Sequence, residues 1–547
     1  MKSDTIWTGG DILTMDPSRP SAQAMAASAG RIIAVGSDAE IEALAGPGTR
    51  RVALHGRFVM PGLVESHTHA LWGGCRELFD VYVGYAASLG DLIAATKARA
   101  GQTEPGGVVY GGPWRHDMRP EMGSVPRLAL DAISDAHPII LLDATQHVLW
   151  CNSRALADAG IGPDTPDIPG GVIERDETGA PTGILAETAG LAVRRLMTRT
   201  DDQLRAAVRH FVDLFLRLGF TAFKEPMAFE PELRIYQAAD LAGDLKLHAA
   251  AHISRNSLVG GAPTPYDEID RMRAQYASEN LRTGFAKLFL DGVAPSYTAS
   301  FIDPYLAESG YDAASHDPNA TLLIDPKELN DTVSELDRRG YVVKMHAVGD
   351  NAIRKGLDAI EAARNANGAS GLRHEIAHSA FVSDADLSRF RSLDAIAELS
   401  PKLWFPNPST PAQRRVLGEE RLSKCHRLRD LLDAGAEATY ASDWPAAAPD
   451  PNPWTGLSGM LTRRNTDPAY PGVLGDGQQV SLQEALPLFT TNGARSLGME
   501  GETGALTPGA WADFIVLDRN LRTIAPEAAA GVEVLETVWK GETAWCA

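Results

Sequence analysis

The stretch Leu336-Asp-Arg-Arg-Gly-Tyr-Val-Val-Lys-Met-His346 decides the fold of this 547-residue chain. It closes an amphipathic helix with apolar residues at helical spacing, Gly340 ends that helix, and a short apolar strand follows. The same order of helix, glycine and strand recurs around Gly219 and Gly435. Because such units lay strands side by side under helices, the sequence predicts a parallel sheet of the α/β class.

The number of candidate strands predicts a (β/α)8 TIM barrel, because eight parallel strands close such a barrel. Between the first and second strands lies a stretch of about 75–200 that is too long for a simple connection, and we interpret it as an insertion. The candidate strands are 58–66, 220–225, 245–252, 285–291, 342–347, 373–378, 395–400 and 438–443.

Both ends of the chain are rich in strand signals. Short apolar runs separated by turn residues occur before residue 57 and again after residue 495. We predict that residues 1–57 and 495–547 pair into one small β domain. Residues 58–494 then form the barrel with its insertion.

Charge and composition argue against several classes of protein. Lys and Arg number 51 and Asp and Glu 71, so the formal charge of −20 disfavours nucleic-acid and anionic-membrane partners. No signal-peptide pattern opens the chain, and no window approaches the roughly 18 apolar residues of a membrane span. The four cysteines are scattered, so we expect buried thiols without disulfides. These features predict a soluble cytoplasmic protein.

Polar residues at the exits of the candidate strands predict a metal centre. His67 and His69 lie two apart after the first strand, so both imidazoles can face one ion. His346, His378 and Asp443 end later strands, and barrel enzymes carry their active sites at these ends. A single histidine of this kind is more often a hydrogen-bonded core residue than a ligand, but together they indicate metal ligands. Nitrogen and oxygen ligands suit Zn²⁺, and Mn²⁺ or Fe²⁺ can occupy the same shell.

A lysine in the fourth candidate strand has two interpretations. Lys287 points into an apolar barrel, where its charge must be paired or removed. It is either a carbamate, formed with CO₂ and able to bridge two ions, or a lysine paired with a carboxylate such as Asp291. Lys224 at the end of the second strand is the rival candidate, with Glu225 beside it as a local partner.

Motifs along nearly the whole chain resemble the amidohydrolase superfamily of metal-dependent hydrolases, in particular its long-insertion branch with N-substituted formamide deformylase and the YtcJ-like proteins. They occur in family order. The matching segments are Pro61-Gly-Leu-Val-Glu-Ser-His-Thr-His69, Gln146-His-Val-Leu-Trp-Cys-Asn-Ser153, Lys287-Leu-Phe-Leu-Asp-Gly292, His346-Ala-Val-Gly-Asp350, Ile376-Ala-His378, Ser442-Asp-Trp-Pro445 and Gly504-Ala-Leu-Thr-Pro-Gly-Ala-Trp-Ala-Asp-Phe-Ile-Val-Leu-Asp518.

The resemblance implies a role for each strand-end residue. The family takes a His-x-His pair from strand one, often a carboxylated lysine from strand four, histidines from strands five and six, and an aspartate from strand eight. It therefore favours Lys287 over Lys224, and it implies that the β-rich ends form a small β-sandwich. Glu65 departs from the aspartate more usual in the first motif. The implied ligands are His67, His69, Lys287, His346, His378 and Asp443.

These residues predict hydrolysis of a non-peptide C–N bond, of amide or formamide type, in a small molecule. One or two ions activate water, Asp443 is the general base, and His378 or His346 helps to hold the ion and the carbonyl. A heterocycle deaminase is the first alternative, but Ala347 to Asp350 lack the glutamate that such enzymes carry after the strand-five histidine. A non-catalytic binding module is the second, but all six ligand positions are filled.

Four residues near the predicted barrel mouth are candidates for contact with the substrate. Aromatic and imidazole groups near the predicted mouth suit an apolar substituent, although each is explained equally well by core packing. The candidates are Trp114, His147, Trp150 and Trp444. A homodimer is the candidate oligomeric state.

Overall fold

The protein is represented by a computed structural model that describes residues 3–84, 87–143, 148–166, 171–257 and 261–547. The chain divides into two compact units. The first comprises Met1–Ala70 with Val208–Ala547, and the second is Leu71–Ala207. Among the described residues, no helix has the length and apolarity needed to cross a membrane.

An eight-stranded parallel sheet forms the centre of the first unit, and the predicted barrel is confirmed. Its strands follow one another in chain order, and each pairs in parallel with the next. We number them barrel strands one to eight. They are Leu63–Glu65, Phe220–Ala228, His248–Ser254, Leu281–Phe289, Val342–Ala347, Glu375–His378, Ile396–Leu399 and Glu437–Tyr440.

The first predicted strand, 58–66, is in fact two strands in two different sheets. Phe58–Pro61 pairs antiparallel with Phe514–Leu517, whereas Leu63–Glu65 is barrel strand one. Gly62 lies between them, where a Cβ atom would stand 2.3 Å from side-chain atoms of buried Thr221. The apolar run is continuous in sequence, so only this close approach marks the change of sheet.

We expect Gly62→Ala to lower the free energy of unfolding by about 1–3 kcal/mol, the usual cost of overpacking. The added methyl group has to displace a side chain that has no room to move. The urea midpoint compared with wild type measures this effect. Gly48→Ala is the matched control, because nothing lies within 4 Å of that position. Equal midpoints for the two variants would contradict the prediction.

Backbone hydrogen bonds join the two edge strands of the barrel just beyond their ends. The Ser66 amide donates to the Tyr440 carbonyl at 3.0 Å, and the Asp443 amide donates to the His67 carbonyl at 2.9 Å. The segments after strands one and eight are therefore held together.

The first unit has two further sheets: one of four strands, all from the first 53 residues, and one of six strands that combines both ends of the chain. They share one hydrophobic cluster that includes Trp7, Val59 and Phe514. The predicted sandwich and its boundaries stay a prediction. In sheet order, the strands are Arg31–Gly36, Ala24–Ser28, Thr5–Thr8 and Arg50–Ala53, and Glu542–Cys546, Val534–Trp539, Phe514–Leu517, Phe58–Pro61, Asp11–Leu13 and Ser21–Ala22.

The second unit has a six-stranded sheet of its own, and the stretch interpreted as an insertion, about 75–200, lies wholly within it. Its apolar run Ile139–Asp143 is a central strand paired with neighbours on both sides. In sheet order, the strands are Gly171–Arg175, Pro181–Glu187, Val148–Cys151, Ile139–Asp143, Val109–Trp114 and Val81–Tyr82.

Helices follow most barrel strands, and the helix before Gly340 is present as predicted. Three cysteines are buried, whereas Cys546 on the last strand is exposed, contrary to expectation. The α-helices are Asp38–Glu42, Ala70–Phe79, Leu89–Ala100, Arg127–Asp131, Ser153–Asp158, Leu191–Arg194, Asp201–Leu218, Glu230–Leu241, Tyr266–Tyr276, Pro326–Arg338, Asp350–Asn367, Leu387–Ser392, Thr410–Ser423, Leu428–Asp433, Pro453–Thr462, Leu482–Phe489 and Thr491–Ser496.

Candidate metal centre

Three predicted ligands converge where barrel strands one and eight end. One atom each from His67, His69 and Asp443 lies within 4.8 Å of the others. Asp443 Oδ1 is 3.6 Å from His67 Nε2 and 3.7 Å from His69 Nε2. This oxygen is buried and accepts no hydrogen bond from a described residue. A buried carboxylate oxygen without a donor, facing two imidazole nitrogens, fits a divalent cation.

The backbone at two of the strand ends adopts unusual angles. Asp443 has φ 54° and His378 has φ 69°, in the left-handed region that residues other than glycine rarely adopt. The two side chains lie close together, with His378 Nδ1 3.9 Å from Asp443 Oδ2. Such strain persists only where the surrounding structure holds it.

The histidines of barrel strands five and six complete the cluster. The ring centres of His346 and His378 are 4.6 Å apart, and those of His67 and His378 are 4.9 Å apart. Asp291 Oδ1 lies 3.2 Å from His346 Nδ1. The Asp291 carboxylate also accepts hydrogen bonds from backbone amides of Ser300, Val348 and Gly349, so it is a rigid support for the ring.

Buried carboxylates also support the first two histidines. Glu398 Oε1 lies 2.5 Å from His67 Nδ1, and Glu225 Oε1 lies 3.4 Å from His69 Nδ1. Metal-bound histidines commonly donate their second N–H to a carboxylate in this way. Sequence analysis missed these supports, placing Glu225 beside Lys224 and Asp291 beside Lys287.

The two candidate lysines differ in their partners. Lys224 forms an ion pair with Glu375 and donates to the Ser496 carbonyl at 2.9 Å. Lys287 is equally buried, but its amino group makes no hydrogen bond or ion pair with any residue the structure describes. It lies 4.7 Å from the centre of the Phe289 ring.

Burial controls the charge of the central groups. It lowers the pKa of Lys287 to about 7, with Lys344 adding repulsion. It also lowers the pKa of His67 and of His378 well below the ordinary value, so both rings are neutral and able to bind a cation. Burial raises the pKa of Asp443 to about 6, against the attraction of His69.

The proposed substrate contacts lie in varied surroundings. Trp444 is buried, and its carbonyl accepts a hydrogen bond from the His69 amide at 2.8 Å. Trp114 and Trp150 are buried in a hydrophobic cluster of the second unit. His147 lies outside the described residues. Their roles toward a substrate stay predictions.

Comparison with known sequences identifies the family. Residues 50–544 match the profile described as Amidohydrolase family. The chain belongs to the amidohydrolase family. The predicted enzyme class, a metal-dependent hydrolase acting on C–N bonds, is thereby confirmed.

Several known proteins are similar to this amidohydrolase over most of its length. It is 28% identical to N-substituted formamide deformylase from Arthrobacter pascens, over 98% of this chain and 97% of the relative. It is 25% identical to putative amidohydrolase YtcJ from Bacillus subtilis, over 98% of both chains. An uncharacterized metal-dependent hydrolase from Pyrococcus horikoshii shares the fold, with a TM-score of 0.77, 24% identity and coverage of 95% and 99%.

Proposed function

We propose that this amidohydrolase hydrolyses a small N-substituted amide or formamide at a centre that holds one or two Zn²⁺ ions. The proposed ligands are His67, His69, Lys287, His346, His378 and Asp443. The observation that carries the proposal is the buried, unpartnered Asp443 Oδ1 between two imidazole nitrogens. Similarity to a formamide deformylase over nearly the whole chain supports the bond type.

The chain supplies neutral imidazoles and carboxylates, a set that suits Zn²⁺ and also accommodates Mn²⁺ or Fe²⁺. When bound, such an ion polarises the scissile carbonyl and makes water a stronger nucleophile near neutral pH. Asp443 takes a proton from the attacking water and passes it to the leaving nitrogen. His346 and His378 stand beside this carboxylate and orient the carbonyl.

Lys287 is proposed to be carboxylated. Its pKa of about 7 leaves much of the amine unprotonated at neutral pH. That amine attacks CO₂, forming an N–C bond and releasing one proton, so that a neutral amine becomes an anionic oxygen ligand. Lys224 is unsuited to this role, because its amino group is already bound to Glu375 and Ser496. A bridging carbamate favours two ions over one.

Metal removal tests the proposed function. We expect the purified protein to contain Zn²⁺, to lose hydrolysis of N-substituted formamides after dialysis against a chelator, and to regain it on addition of Zn²⁺. A panel of formamides, larger amides and heterocyclic amines, scored by amine and ammonia release, measures the substrate class. Ammonia release from heterocyclic amines alone would establish the deaminase alternative. Turnover unaffected by complete metal removal would refute the proposal.

A further inference from the structure

Four buried charged side chains form a continuous series of ion pairs inside the barrel. We call Lys224, Glu375, Lys344 and Glu398 the barrel ion chain. They come from barrel strands two, six, five and seven, and each side chain is at most 1% exposed. Lys224 contacts Glu375, and Lys344 lies 3.2 Å from Glu375 and also contacts Glu398. Two cations and two anions balance, so the barrel ion chain has no net charge and does not need a charged His67.

The barrel ion chain ends on the first metal-ligand motif. Glu398 Oε1 lies 2.5 Å from His67 Nδ1, and Lys344 Nζ donates to the Ser66 carbonyl at 2.5 Å. Since Glu398 is an acceptor, His67 carries its proton on Nδ1. The Nε2 lone pair then faces Asp443 Oδ1, 3.6 Å away. One Lys–Glu pair thus contacts both the ring of His67 and the backbone carbonyl just before it.

Stability alone gives a poor account of these charges. Buried ion pairs are often replaced by apolar residues of similar volume at no loss of stability, because desolvation offsets their attraction. The two ion pairs of the barrel ion chain differ in whether their side chains contact the proposed metal ligands. Among the described residues, the Lys224 and Glu375 side chains form no hydrogen bond or ion pair with a proposed metal ligand, and the Lys224 backbone carbonyl accepts a hydrogen bond from the Thr68 amide at 3.1 Å. The Lys344 and Glu398 side chains contact the His67 motif at two points.

We infer that Glu398 and Lys344 are positioning residues for the metal centre. Glu398 holds His67 as a neutral ligand with Nε2 free, and Lys344 holds both Glu398 and the Ser66 carbonyl. Lys224 and Glu375 complete the charge balance. The inference rests on the proposed function in one respect, that His67 binds a metal. Loss of a carboxylate supporting a metal-bound histidine typically weakens metal binding 10–100-fold.

Two matched double variants test the inference. E398M/K344M removes the pair whose side chains contact the His67 motif, and K224M/E375M removes the pair whose side chains do not, leaving the backbone bond from Thr68 to Lys224 in place. Each deletes one cation and one anion, so neither leaves an unbalanced buried charge. Zn²⁺ affinity is measured by competition with a chromophoric chelator, and the Co²⁺-substituted absorption spectrum reports ligand geometry. The melting temperature of metal-free protein monitors folding separately.

We expect E398M/K344M to bind Zn²⁺ about 10–100-fold more weakly, with an altered Co²⁺ spectrum. K224M/E375M should keep the wild-type Zn²⁺ affinity and Co²⁺ spectrum. Similar melting temperatures for the two variants would show that the difference in affinity does not come from a difference in stability. E398Q/K344M returns an oxygen acceptor to His67 and should recover part of the lost affinity; it also serves if the first variant does not fold.

Equal Zn²⁺ affinity in E398M/K344M and K224M/E375M would overturn the inference while leaving the proposed function intact. No recovery of affinity in E398Q/K344M would also count against it. A wild-type protein that binds neither Zn²⁺ nor Co²⁺ would refute the proposed function itself, and the inference with it.

Discussion

Asp443→Asn should lower kcat for formamide hydrolysis by about 10²–10⁴-fold, the contribution usual for a general base. An amide cannot accept the proton of the attacking water, yet its oxygen keeps the size and position of the carboxylate oxygen that faces His67 and His69. Most of the bound metal should therefore remain. Steady-state kinetics together with metal analysis of the same sample measures both quantities.

Asp433→Asn is the matched control for that experiment, because this exposed aspartate ends the helix Leu428–Asp433 and, among the described residues, forms its ion pair with Arg429. Its kcat should equal that of wild type. If Asp443→Asn turned over at nearly the wild-type rate while retaining its metal, another group would have to be the base.

Where the carbamate bridges two ions, Lys287→Met should reduce the bound metal to one ion and lower kcat/KM by about 10–100-fold, the loss typical of disturbing a metal site. The variant lacks an amine to react with CO₂ and so has no bridging anion. It should still fold well, since the barrel ion chain is balanced without Lys287. Metal stoichiometry, and the intact mass of the wild type under native conditions that preserve the carbamate, are the measurements.

K224M/E375M serves again as the control and should keep both ions. If Lys287→Met also kept both ions while the control lost one, the carbamate would belong to Lys224. Two ions retained in both variants would show that no lysine bridges the centre.

The barrel, and the strand-end residues proposed as ligands, could be recognised in the sequence because their signals are local. A helix that ends at glycine and leads into an apolar strand is readable at Gly340 and Gly435, and the histidines follow directly from the strand ends. The structure confirms the eight parallel strands and brings His67, His69 and Asp443 together.

The side chains that contact the proposed ligands and the buried lysines could not be predicted, because each is distant in sequence from the residue that it contacts. Glu398 meets His67 across 331 residues, and Lys224 meets Glu375 across 151. From sequence, Glu225 was the natural partner of Lys224, since neighbours on a strand are the only ones visible. Neighbouring residues on a strand point to opposite faces, and Glu225 instead accepts a hydrogen bond from the Tyr236 hydroxyl.

The change of sheet at Gly62 has a consequence for when the neighbouring strands can pair during synthesis of the chain. Phe58–Pro61 directly precedes the His67 motif, but its antiparallel partner is Phe514–Leu517, near the other end of the chain. During translation the segment carrying the first two histidines emerges early and waits, with its upstream strand unpaired on one side, until nearly all of the polypeptide has left the ribosome. The strand that leads into the first two proposed ligands thus completes its pairing late, although it is among the earliest parts of the chain to be made.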